Sequence, residues 1–392
     1  MSTKLKLNWF DTILYLPLIS LFTAAFVIPG WDKKVVILFS VSIIAIICKY
    51  GLNTIKENYK DPYVVILIIS ALYGSALYET IGYGSGEIRT LIVVSIFLLT
   101  FPRERINIQG LPLLLLIGAI ISFLYTLYFS VYLDIPRSKQ PINAIPFAIT
   151  LCLLATVSLF IFFKERRIIT LLSFFLLAIS IIITETRGAI IPLTVSSSIL
   201  LLYKIFERNN IKKLITTSIF GTFFIISLSY GFVEARVNAT VAEIQSISEG
   251  NYNTSIGLRL QMWQASPELI SINPIFGLGD NHKQELQRLY KAGKIDKSLA
   301  KYSPTHYHNQ YIDKIIKSGV IGFILFLLAV YYPIYACFIK ANENSNKECI
   351  IAITAAFSLI CLTDSPFSQT FTLYPLLLIN YFILNSGFRR VA

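Results

Sequence analysis

Charge is scarce in this sequence: only 14% of its 392 residues are Asp, Glu, Lys or Arg, against about 25% in an ordinary soluble domain. That shortage excludes a water-soluble globule. Long uncharged apolar runs recur along the chain, and mean hydropathy is +0.66. Each run can cross a bilayer core of ~30 Å as a helix of roughly 20 residues. The short alternating strands of a closed barrel are missing, which leaves helices as the spanning element. Cysteine is sparse. Cys48, Cys152, Cys337, Cys349 and Cys361 lie in or beside apolar runs, and none lies in the one large polar segment. No disulfide framework is expected. Lys4 and Lys6 precede the first apolar run like a signal peptide, but no small-residue cleavage site follows, so that run reads as a retained helix. Internal repeats, low-complexity tracts and soluble linkers are absent too.

What is present reads as an all-α polytopic membrane protein of about twelve transmembrane helices. The expected spans are 11–29, 35–50, 62–81, 88–101, 112–133, 142–163, 168–185, 188–205, 214–233, 319–339, 348–363 and 370–386. Residues 1–392 form a single membrane domain, with nine helices in 1–233, a large polar loop over 234–318 and three helices in 319–392. With both termini in the cytoplasm, the cytoplasmic segments hold eighteen basic residues and the short outer loops six. That bias supports the layout and places the loop outside. The net charge of +12 lies mostly in short inter-helix loops, so it marks orientation and not nucleic-acid binding. Within the loop, Leu258–Ile270 and Lys283–Gly293 have helical spacing. The second stretch is basic and suits either a membrane surface or solvent.

Histidine is the side chain best suited to take a proton near neutral pH. There are three, His282, His306 and His308, all in the loop. His306 and His308 bracket Tyr307, and Asn309 follows, placed to cap or orient. In extended backbone both rings point the same way, whereas in a helix they diverge by roughly 200°. The pattern suits a catalytic base or, more simply, a solvated loop. His-x-His also suits a metal, but no acidic cluster or further histidine stands beside it in sequence, so no metal is expected.

Arg187, in Thr184-Glu185-Thr186-Arg187-Gly188, is wedged between two apolar runs. It is either an interfacial arginine that snorkels or pairs with Glu185, or a phosphate ligand, since guanidinium grips two oxygens at once. Arg259 and Trp263 share a helix face, as a plain surface pair or as a phosphate clamp beside a sugar- or lipid-contacting aromatic. Arg89, Arg137 and Lys139 add positive charge on the same side. Arginines with a histidine pair suit a diphosphate substrate at the membrane surface, with the histidine deprotonating an attacking hydroxyl. A transporter more often buries charge near the midplane, and these helices are nearly free of it.

Four segments resemble the O-antigen ligase (WaaL) family, within the O-antigen ligase and polymerase superfamily. They are Thr184–Gly188, Ser255–Arg259 with Asn273–Gly279, His306-Tyr307-His308-Asn309 running on to Gly319–Gly322, and Leu362-Thr363-Asp364-Ser365. The resemblance covers most of the chain in topology. It implies a metal-independent inner-membrane glycosyltransferase working without a cofactor at the periplasmic face. The donor would be O-antigen on undecaprenyl diphosphate and the acceptor lipid A–core. His308 would be the base, and Arg187 and Arg259 would hold the diphosphate. His306, Arg89 and Asp364 match less generally or by position only. The polymerase of the same superfamily and a non-catalytic exporter are the competing expectations.

Overall fold

A computed structural model describes residues 9–207, 234, 237–339 and 346–386. The chain opens with α1 (Trp9–Leu14), α2 (Leu16–Phe22) and α3 (Trp31–Tyr50). Then come α4 (Asn53–Asn58), α5 (Pro62–Ile81), α6 (Ser85–Thr100), α7 (Leu111–Thr126), α8 (Ala144–Glu165), α9 (Ile168–Ile183) and α10 (Arg187–Glu207). The polar region holds α11 (237–248), α12 (Ser255–Ile272), α13 (His282–Lys291) and α14 (Lys297–Tyr302). The chain ends with α15 (Gln310–Ile339), α16 (Lys347–Cys361) and α17 (Thr370–Leu384). Among the described residues there is no strand. Among the described residues five helices are long and apolar enough to cross a membrane: Pro62–Ile81, Leu111–Tyr132, Ala144–Glu165, Arg187–Ile205 and Gln310–Ile339.

The hub is α8, buried almost throughout and packed against α9, α10, α16 and α17. Its polar atoms are satisfied internally, as an apolar surround demands. Thr156 donates to the Cys152 carbonyl at 2.9 Å and shares a 2.9 Å hydrogen bond with Ser196 of α10.

The expected span at 11–29 is broken. Pro17 has no N–H to give and sits best in a first turn, and the chain restarts there as α2 and then tightens into a 3₁₀ turn over Ala24–Phe26. The span at 62–81 coincides with α5. The span at 214–233 lies outside the described residues. Helix α13 does not turn its apolar face to a membrane. His282, Leu286 and Leu289 are buried with Met262, Leu269 and Tyr307 in a small core belonging to the polar region itself.

The span expected from Gly319 is preceded by helical turns over 310–318, joined to it through a break at Gly319 with φ 62° and ψ −172°. The turn Asn273–Gly279 locks onto that break. Val320 donates to the Pro274 carbonyl and Leu278 to the Ile316 carbonyl, both at 2.8 Å. A Cβ at Gly319 would overlap the Ile275 carbonyl. Gly319→Ala combines a left-handed backbone penalty with that overlap, so we expect it to lower stability by at least ~2 kcal/mol. An unchanged melting temperature in detergent would contradict the clasp.

Candidate active site

One cavity of about 310 Å³ gathers residues of three motifs, Thr184–Gly188, Ser255–Arg259 and Leu362–Ser365. Arg137, Arg187, Arg259 and Asp364 all line it, as do the first residues of α10 and α12. Helix starts present free N–H groups and a partial positive charge, so this is a natural place for an oxyanion. Local sequence explains how each arginine arrives. Helices α9 and α10 are joined by Thr184-Glu185-Thr186 alone, with Glu185 left-handed at φ 54°. That tight hairpin sets Arg187 at the first position of α10. Thr254 caps α12 by accepting from Gly257 N at 3.0 Å. Gly257 is small because a Cβ would come within 2.5 Å of the Tyr252 carbonyl oxygen. One helical step later Arg259 reaches the cavity.

Among the described residues neither Arg187 nor Arg259 is ion-paired. Arg187 donates to the Thr240 hydroxyl, and Arg137 to the Glu185 carbonyl at 3.3 Å. Three carboxylates share the lining: Glu185, Glu243 and Asp364. Glu243 accepts from Ile256 N in the first turn of α12 at 2.9 Å. Asp364 accepts from Ser365 N at 2.7 Å, and burial pushes its carboxyl above the usual carboxylate range.

The histidines meet beside this cavity. His308 adopts φ 49°, so the segment is neither extended nor helical, and the His306 and His308 rings lie 4.1 Å apart. A left-handed non-glycine residue costs of order 1–3 kcal/mol and must be held by its surroundings. The holding is centred on the fully buried Tyr307. Its N–H donates to Asp313 at 3.1 Å, its carbonyl accepts the Trp263 indole N–H at 3.0 Å, and its hydroxyl shares a 3.0 Å hydrogen bond with His282 Nδ1. Lys317 pairs with Asp313 at 2.8 Å and donates to the Thr305 carbonyl at 2.6 Å. Asn309 then caps α15, accepting from Tyr311 N and Ile312 N.

Burial, the neighbouring His306 and Arg259 together drive the His308 pKa down from 6.5 to about 3, with Asp313 opposing. The ring is therefore neutral at physiological pH and able to accept a proton. Its Nδ1 and that of His306 have no hydrogen-bond partner among the described residues.

Asp364 also reaches the histidines. Ligand atoms of His306, His308 and Asp364 lie within 4.8 Å of one another. Sequence reasoning expects no metal because no third donor stands nearby in the chain; the fold supplies one from the turn after α16. Two imidazoles and a carboxylate can hold a transition ion, although Arg187 and Arg259 beside them favour an anion.

The remaining candidates lie elsewhere. Trp263 donates its indole N–H to the segment between the histidines and does not line the cavity. Arg89 pairs with Asp32 at 3.3 Å beside a different cavity. Lys139 is exposed and lines neither cavity. Tyr307, Asp313 and Glu243 carry roles that sequence did not assign. Tyr307 was marked only by standing between two histidines, and Glu243 and Thr240 carried no signal.

An apolar helical bundle with an arginine-lined cavity and a histidine pair beside it defines the class. Residues 172–327 match the model of the O-antigen ligase family (Wzy_C), a segment that contains Arg187, Arg259, His306 and His308. An uncharacterized protein of Haemophilus influenzae is 34% identical over 212 residues, which is 50% of this chain and 51% of that relative. The chain thus spans about half the length of the curated relative it matches.

The depressed His308 pKa has a direct readout. Burial and Arg259 disfavour the imidazolium, so the ring stays neutral until the pH falls toward about 3. Its NMR resonances should stay flat from roughly pH 7 to 5, a range in which an ordinary histidine titrates. A midpoint near the ordinary value would refute this environment.

Proposed function

We propose that the protein is an O-antigen ligase. It moves O-antigen polysaccharide from undecaprenyl diphosphate onto lipid A–core, at the periplasmic face of the bacterial inner membrane. The observation that carries this reading is the convergence of Arg187 and Arg259 on one cavity, with the neutral His308 beside it. The basic-residue bias supports a multi-pass chain of about twelve spans with both termini cytoplasmic. Residues 234–318 would then be periplasmic.

In the reaction, the acceptor hydroxyl oxygen forms a bond to the anomeric carbon of the donor as the bond from that carbon to phosphate breaks. The hydroxyl proton passes to a ring nitrogen of His308. The leaving undecaprenyl diphosphate gains charge on its departing oxygen, which the two arginines offset through paired N–H donors. Arg259 depresses the basicity of His308 in the empty site. A diphosphate bound on the arginines cancels that field and raises the basicity again. The base thus strengthens once donor is in place.

The test is transfer by purified protein between lipid-linked glycan and lipid A–core, with and without chelator. His308→Ala is expected to abolish capping while lipid-linked polymer accumulates in cells. Losing either arginine should reduce kcat by about 10²–10³. Normal capping by His308→Ala would remove the base. Chains cut to one repeat would favour the polymerase, and loss of activity on chelation would assign His306, His308 and Asp364 to a metal.

A further inference from the structure

A second cavity, of about 440 Å³, lies on the far side of the segment Asp364–Thr370. Asp364 lines the first cavity, while Ser368, Gln369 and Thr370 line the second. The two are joined by Gln369 Nε2, which donates to Asp364 Oδ1 at 3.3 Å.

Three long helices start at this second cavity. Trp31 opens α3, Ser85 and Gly86 open α6, and Thr370 opens α17, and all of them line it. None of the three N-caps supplies a side-chain hydrogen bond. Their first-turn N–H groups and aligned dipoles therefore favour negative charge. Lys33 and Arg89 line the same space. The carboxylate among them, Asp32, is already engaged by Arg89 at 3.3 Å and by the Thr370 hydroxyl at 2.9 Å.

Polar atoms at this place lack partners. Among the described residues, Trp31, which is 3% exposed, has no hydrogen-bond partner for its Nε1, and Arg89 has none for its Nε. Buried unsatisfied donors cost roughly 1–3 kcal/mol each, so their grouping around one cavity points to a ligand that accepts hydrogen bonds.

We propose that this cavity is a subsite for an oxyanion-bearing sugar, carrying phosphate or carboxylate, of the acceptor glycan. The assignment to the acceptor rests on the glycosyl-transfer reading above; the oxyanion chemistry does not. The donor diphosphate takes the cavity lined by Arg187 and Arg259, and the acceptor's anionic sugar anchors across the 364–370 wall. Its neighbouring hydroxyl is thereby directed toward His308.

The test uses glucose 6-phosphate and glucose as probes in neutral detergent, read by saturation-transfer NMR. The protein carries Arg187→Gln and Arg259→Gln so that the first cavity is silenced. Glucose 6-phosphate should bind, glucose should bind far less, and adding Arg89→Gln or the exposed Lys33→Gln should weaken the phosphate sugar roughly tenfold. Lys33→Gln guards against a misfolded Arg89 variant. Equal binding of glucose and its phosphate, or no effect of either substitution, overturns the subsite. In the otherwise native protein, Lys33→Gln should raise the acceptor KM and leave kcat and the donor KM near the native values. An unchanged acceptor KM despite lost phosphate-sugar binding would assign the cavity to a lipid headgroup and overturn the acceptor assignment. Phosphate-sugar binding without any transfer by native protein would sink the proposed function and leave the oxyanion site standing.

Discussion

The three hydrogen bonds around Tyr307 are the interaction on which the rest of this end of the molecule depends. Backbone N–H, backbone carbonyl and phenol each have a partner from a different element: Asp313 of α15, Trp263 of α12 and His282 of α13. Each bond is worth about 1 kcal/mol net. Together they offset the strain of His308 at φ 49° and bring two imidazoles to 4.1 Å. His282 is itself driven neutral, to a pKa of about 3, chiefly by burial. The buried charge left at the knot is Asp313, paired with Lys317 at 2.8 Å. The clasp between Asn273–Gly279 and the Gly319 break holds the same elements from the other side. Without these restraints the histidine segment is an ordinary polar turn.

The electrostatics follow from this rigidity. Arg187 and Arg259, without ion-pair partners among the described residues, line one cavity, while the His308 beside it is kept neutral by burial, His306 and Arg259. Guanidinium groups near helix starts are a standing preference for an anion. In the proposed reaction that anion both occupies the cavity and relieves the base, so donor binding and proton acceptance are coupled through a single field. The Asp364–Thr370 turn extends the arrangement by bounding a second cavity where three further helix starts converge.

Much of this was legible in the sequence, because it rests on local chemistry. Apolar run length located α5, α8 and α9 closely, since hydrocarbon thickness dictates helix length. Arg187, Arg259 and His308 stood out because charge and histidine are so rare here. What stayed hidden depends on distant packing. Asp364 lies more than fifty residues from His308 in the chain, and only the return of α16 toward α10 and α15 brings it to the histidines. Trp263 read as a surface partner of Arg259 or as an aromatic contacting sugar or lipid, because sequence cannot show that its N–H meets a backbone carbonyl across a fold. The first apolar run read as one span because hydropathy does not register the hydrogen bond that Pro17 removes.

The central claim is that Arg187 and Arg259 form one oxyanion site beside a neutral His308. The measurement that tests it most directly is a cryo-EM structure of the protein with undecaprenyl diphosphate. We expect both phosphates in the cavity lined by Arg187, Arg259 and Arg137, each bonded to at least one of these guanidinium groups. Phosphate density elsewhere, with that cavity empty and the arginines turned away, would contradict the account.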